Sequence, residues 1–330
     1  AKPLNWTQSG NLETALSDAG VSPELTSSDL FSIGGSVGLA IADVVFATAT
    51  INVARVTVTD VDDPDTMPAD TSLSGELLGV SITEATLFIG TGASINEATG
   101  AVSLPAPGDG IGFRASNGTL DLAVLTTNET TPRTYTGLEA TLGIVALEGL
   151  EDVLVLVATN LSLKSNTTSV ATAGAKPLNW TQTGNLESAL GDAGVSPSLT
   201  SSDLFSIGGS VGLAIADVVF ATATINVARV AVTGVDDPDT MPADTSLSGE
   251  LLGVSITEAT LFIGTGASIN EATGAVTLPV AGDAIGCRAF DGMLDLAIFR
   301  TDETTPRTYT GLEATLGIAA LEGLEDVLVL

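Results

Sequence analysis

The chain contains no histidine and only one cysteine, Cys287. Without histidine there is no Ser-His-Asp or Cys-His relay, and no Ser-Lys motif stands in for one. Zinc and haem sites lose their usual ligands, and a lone cysteine excludes an internal disulfide framework. Aromatic residues make up only 4% of the chain, with two tryptophans and two tyrosines. Paired carboxylates that cleave glycosides usually work against aromatic platforms, which are scarce here. Basic residues are few: 10 Lys and Arg against 40 Asp and Glu, a net charge of -30. Nucleic acid and anionic membrane are therefore repelled. No apolar run is long enough to span a bilayer as a helix. There is no GxGxxG opening a helix and no GxxxxGK[ST]. These absences point away from an enzyme. The chain also lacks an initiator methionine and a signal peptide, which reads as a mature or excised segment.

What is present is a chain of 44% hydrophobic residues whose core must be built from Ala, Val, Leu and Ile. Its surplus carboxylates attract divalent cations and suit salty surroundings.

Internal repetition sets the organisation. AKPLNWTQ begins at Ala1 and again at Ala175, and the same offset of 174 carries Trp6 to Trp180, Phe31 to Phe205 and Arg133 to Arg307. Residues 1–156 and 175–330 differ at 19 positions, so 1–174 is one repeat unit and 175–330 a second, shorter copy. Leu330 matches Leu156, where the first copy runs on through Val157 to Leu163. A strand cut at that point implies a longer array, whose ends would seek strand partners in other copies. Residues 165–174 are the most linker-like stretch, or else a strand handing over to the next repeat. Cys287 matches Phe113 and reads as a small apolar core residue.

Strand signals dominate each copy. Val37, Leu39 and Ile41 alternate with small residues, as do Val45 to Val53, Leu120 to Val124 and Leu138 to Ala146. Helix signals are few: Asn11 as a cap for Leu12, Ala15 and Leu16, and Ser22-Pro23 as a second opening. A finer motif recurs. Val37-Gly38-Leu39-x-Ile41-x-Asp43 returns as Leu78-Gly79-Val80-x-Ile82-x-Glu84, and more loosely at Ile111-Gly112-Phe113 with Asn117 and at Thr136-Gly137-Leu138. Each reads as glycine, strand, polar corner, strand. The expected fold is all-β: an elongated β-solenoid or prism-like stack of such units, with tandem β-sandwich modules as the alternative.

The densest chemistry is acidic. Asp60, Asp62, Asp63, Asp65 and Asp70 crowd together, and the second copy keeps Asp236, Asp237, Asp239 and Asp244 but has Gly234 in place of Asp60. Calcium takes several oxygen ligands from such a loop, and it would relieve the repulsion among uncompensated carboxylates. A solvated turn guarding a strand edge is the alternative. Asn5, Asn117, Asn128, Asn160, Asn166 and Asn179 fit the glycosylation pattern N-x-[ST], six of twelve asparagines, which favours a surface protein. Of the 19 differences between copies, 12 fall in 103–128 against 277–302, whereas 61–102 and 235–276 are identical. The variable stretch reads as a peripheral face that meets a partner, or as a loop free to drift.

Three strings carry a resemblance: Phe88-Ile-Gly-Thr-Gly92, Arg133-Thr-Tyr135 running into Gly-Leu-Glu-Ala-Thr-Leu-Gly143, and Leu147-Glu-Gly-Leu150 before Val153-Leu-Val-Leu-Val157. They look like the tandem modules of giant bacterial surface or secreted proteins, some of them adhesin-like or calcium-binding. Those modules tend to have an acidic residue before the tryptophan and a second glycine after the turn; here Asn5 and Glu151-Asp152 stand there. The resemblance implies an extracellular or cell-surface array. Two roles follow: a structural filament or stalk whose partners are neighbouring repeats and end-to-end copies, or an adhesin-type module recognising a glycan or another cell through 103–128 and 277–302.

Overall fold

The computed structural model describes residues 3–66, 73–106, 109–170, 175–239, 247–280 and 285–323. The first repeat holds α1 (Asn11–Asp18), β1 (Asp29–Ile41), β2 (Val45–Val61), β3 (Leu73–Thr91), a small hairpin β4 (Ser94–Ile95) and β5 (Val102–Ser103), then β6 (Ile111–Thr127), β7 (Thr134–Glu148) and β8 (Leu154–Thr168). The second follows the same order: α2 (Asn185–Asp192), β9 (Asp203–Ile215), β10 (Val219–Val235), β11 (Leu247–Thr265), the hairpin β12 (Ser268–Ile269) and β13 (Val276–Thr277), β14 (Ile285–Thr301), β15 (Thr308–Thr315) and β16 (Ile318–Glu322).

The protein is all-β apart from the two short helices, and its long strands form one open antiparallel sheet. Their order is β1-β2-β3-β6-β7-β8-β9-β10-β11-β14-β15, with β16 also on β14. The repeats do not close into separate modules. β8 pairs with β9 from Leu154–Ile215 to Ser165–Phe205, so the ladder crosses the repeat boundary. Ser165 to Thr168 of the linker-like stretch thus belong to a strand.

The recurring motif corresponds to real corners. Glu84, Asn117 and Asn160 adopt φ of 54°, 54° and 53°, repeated by Glu258 and Asp291 at 54° and 53°. The strand register shifts beside Glu84 and Asn160. Such β-bulges bend a strand, and here they line up as a crease across the sheet, where Gly143 faces Asn117. Asp43 has the same left-handed φ, 53°, but sits in the tight turn joining β1 to β2. The motif glycines lie where something else comes close. A Cβ on Gly38 would meet Gly100 O at 1.8 Å, and one on Gly79 would meet Ala193 at 2.7 Å.

One face of the sheet is covered and the other is open. β2 pairs with β1 in regular register beyond Arg55, so Phe46, Ala54, Val56 and Val58 share a face, and all four are buried. The hairpin between β3 and β6 covers one end of this face, and in repeat 1 the segment around α2 covers the other. The opposite face leaves Ile33, Val37, Ile89 and Phe113 exposed. Cys287 is exposed on that open face beside Ile263, not in a core, because nothing among the described residues packs over it. The helices start at Asn11 and Asn185, each preceded by a glycine whose N–H donates to Glu13 or Glu187. Asn11 is therefore the first helical residue, not the cap, and Ser22-Pro23 opens no helix.

Candidate functional site

The most elaborate side-chain arrangement joins the repeats. In α2, Leu186, Ala189 and Leu190 fall at i, i+3 and i+4 and make one apolar stripe. Together with Leu178, Trp180 and Leu199 they are buried against β2, β3, β6 and β7 of the first repeat. Each large side chain so covered contributes roughly 1.5–3 kcal/mol. The indole of Trp180 lies over Gly137, where an added Cβ would stand 2.6 Å from Nε1. Trp180 Nε1 donates to Asn166 Oδ1 at 3.0 Å. The Asn166 amide in turn donates to Leu178 O at 2.9 Å and Thr200 O at 2.8 Å, tying both ends of the segment to β8.

The acidic turn after β2 meets the same segment. Asp62 N–H donates to Gln182 Oε1 at 2.8 Å, Asn185 Nδ2 donates to Asp60 Oδ2 at 3.1 Å, and Lys176 N–H donates to Asp65 Oδ1 at 3.0 Å. Asp63 is buried and held by Arg133, whose Nη1 and Nη2 donate to Oδ1 and Oδ2 at 3.1 and 2.8 Å. Arg133 also bonds Glu129 at 2.7 Å. In the second copy Arg307 holds Asp237 at 2.9 Å, Asp239 at 3.0 Å and Glu303 at 2.8 Å, while Asp236 is exposed. Asp70 and Asp244 lie outside the described residues. The expected repulsion among uncompensated carboxylates is thus answered by an arginine 70 residues downstream. Among the described residues no group of three or more acidic side chains could hold a metal ion.

Burial pushes the Asp63 carboxyl up, but hydrogen bonds from Arg133 and the Asp65 N–H outweigh it and hold it below the usual range. Hydrogen bonds from Arg307 and Arg133 lower Asp237 and Glu129 in the same way. Burial pushes Tyr135, on the floor of this joint, up to about 12. Its hydroxyl is buried without a hydrogen-bond partner among the described residues.

The six sequon asparagines separate. Asn117, Asn128 and Asn160 are exposed, the first and last on the crease. Asn5 and Asn179 are half-buried and accept hydrogen bonds from Thr7 and Thr181. Asn166 is 2% exposed with its amide fully engaged, which leaves no room for a glycan in the folded chain. The variable stretch 103–128 is mostly β6, a central strand paired to β3 and β7 and not a loop, and it presents Ile111 and Phe113 on the open face. The contacts of Asn166 and Arg133 were hidden from sequence reasoning. Their partners are distant in the chain, and copies this alike reveal no covariation.

Among the described residues no helix is long and apolar enough to cross a membrane. No known protein family, curated protein or solved structure matches this chain.

Proposed function

We propose that the chain is a structural segment of a long extracellular filament, stalk or cell-surface array, in which the repeats themselves are the function. The observation that carries this reading is the joint. The sheet continues from β8 to β9 across the repeat boundary, and the second repeat lays its helical segment over the sheet of the first. Each unit covers its sequence neighbour, which is the economy of a solenoid-like array. The accessible surface of 18362 Å² also exceeds the roughly 12,500 Å² of a compact protein of 33.0 kDa. The charge of -30 and the exposed sequons support an extracellular setting, as does the resemblance to bacterial surface modules. The missing catalytic groups support a non-enzymatic role. A binding role for 103–128 and 277–302 fits less well, because side chains alternate between the two faces along β6 and β14 and do not project together.

Small-angle scattering tests the proposal. An elongated particle is expected, lengthening in proportion when a further 174-residue repeat is added. A compact globule, or a second repeat that tumbles independently of the first, would overturn it.

A further inference from the structure

We infer that two copies of this chain pack their open sheet faces against each other, closing a two-layer β-sandwich dimer. This goes beyond the array reading and does not depend on it. The small hairpins and the α2 segment all fold back over one side of the sheet. The other side is apolar in register. Ile82, Leu120, Ala140, Leu163, Ile207 and Val227 are successive cross-strand partners, so one apolar row crosses six strands and the repeat boundary. Ile89, Phe113 and Leu147 begin a second row, which Leu156 and Leu213 carry across the boundary. Ile89, Phe113, Leu156 and Ile207 are 42%, 39%, 43% and 46% exposed. The strands that carry these rows are paired on both sides, so the exposure belongs to the face and to no sheet edge.

Charge favours a second copy as the occupant. The chain carries -30, yet this face is nearly neutral. Among the described residues paired in register on it, the charged ones are Arg55, Glu76, Arg229, Glu250 and Arg300, three positive against two negative. Arg55 pairs with Glu76, and Arg229 with Glu250 at 3.7 Å. The surplus carboxylates lie elsewhere, so two copies meet with least repulsion through this face. The neighbouring repeat cannot serve. The pairing of β8 with β9 fixes both repeats in one sheet with their open faces on the same side, so neither folds onto the other.

The area suits a permanent dimer. Seven strands, from β3 to β11 in the sheet order, are flanked on both sides. At about 4.8 Å per strand and about 45 Å of strand length, they present roughly 1,500 Å² per copy. Two such faces bury about 3,000 Å², within the roughly 2,000–5,000 Å² of permanent homodimers. The same patch meets itself, so the contact is isologous and closes at two, with inward side chains interdigitating as in other sheet-on-sheet packings.

Sedimentation velocity on the whole chain reads the assembly, and Cys287 reads the face. It is the only cysteine, exposed beside Ile263 and flanked by β11 and β16. A dimer that grows no further with concentration is expected, tightening as salt screens the charge of each copy, with Cys287 slow toward a thiol reagent. Ile207→Lys and Phe113→Lys each place an unpaired ammonium in the contact. Each should weaken association on the order of 100-fold and release a fast-reacting Cys287. Ile207→Thr keeps the β-branch that suits a strand, so it should leave the circular dichroism unchanged while weakening the dimer about tenfold. Val153→Lys, in the exposed turn before β8, should leave the dimer intact. A chain monomeric at all concentrations, even one whose face takes up detergent or lipid vesicles, would overturn the inference. So would oligomers that grow past two, or a dimer that survives both lysine substitutions. Particle length per added repeat reads the array separately: a monomer that lengthens sinks the pairing alone, and a dimer that does not lengthen sinks the array alone.

Discussion

Arg133 reaches Asp63 across 70 residues of sequence and closes both of its carboxylate oxygens, at 3.1 and 2.8 Å. Removing the guanidinium strands a buried carboxylate. Arg133→Ala should therefore cost roughly 3 kcal/mol in a denaturant or thermal melt. Arg307→Ala should cost less, because among the described residues no helical segment lies over this turn as the α2 segment lies over that of Asp63. Equal losses would show that the overlying segment adds nothing to the first pair.

The same pairing bears on calcium. The arginines already compensate Asp63, Asp65, Asp237 and Asp239, so a chelator at fixed ionic strength is expected to leave the melting temperature unchanged. A fall of several degrees would return a cation to these turns.

Acid should loosen the fold through these carboxylates. Asp63 and Glu129 are held below their ordinary values in the folded chain, so their contribution is full above the ordinary carboxylate range and is lost as pH falls through it and below. Asp63→Asn should flatten that limb of the stability curve. Asp192 has the opposite sign. Burial and the nearby charge of Asp29 raise it, so Asp192→Asn should be neutral or mildly stabilising at pH 7. An unchanged acid limb in Asp63→Asn would detach the limb from this pair.

Gly137 and Gly311 make a controlled pair, being the same strand position with and without an indole above it. Gly137→Ala puts a Cβ 2.6 Å from Trp180 Nε1 and should cost about 1–3 kcal/mol by overpacking. Gly311→Ala has open space above it and should change the melt of the monomer little. A neutral Gly137→Ala would mean that the indole shifts aside at no cost.

Much of this was legible in the residues. Alternation from Val45 to Val53 marked a strand but not its buried face: these residues share the open face with Ile33 and Val37, and β2 buries Phe46, Ala54, Val56 and Val58 instead. The recurrence of Asp43, Glu84 and Asn117 after φ-Gly-φ marked polar corners, all of which adopt positive φ. The exchange of Asp60 for Gly234 belongs to the same class, since both adopt positive φ, 56° and 73°, and aspartate and glycine tolerate it better than most residues. Other features lay beyond local pattern. Nothing near Asp63 announces Arg133, and Asn166 reads as a sequon until Trp180 is seen bonded to it. That one sheet face stays open, placing Cys287 in solvent, depends on which elements fold back over the strands, and periodicity does not carry that information.

Tyr135 offers the last test, at the alkaline end. Its ring is buried under the Trp180 segment and its hydroxyl lacks a partner among the described residues. An unpartnered buried hydroxyl costs about 1–3 kcal/mol, so Tyr135→Phe should be neutral or stabilise the chain by about 1 kcal/mol at pH 7. Ionisation gives an independent handle. Burial raises the folded value to about 12 against an ordinary 10.0. Because the folded value is the higher one, stability is full below the ordinary value and declines as pH rises from there through about 12. Tyr135→Phe should remove that share of the alkaline loss, leaving only what the other ionising groups contribute. A destabilisation of more than about 1 kcal/mol at pH 7 would instead assign the hydroxyl an ordered water partner, which the phenylalanine strands.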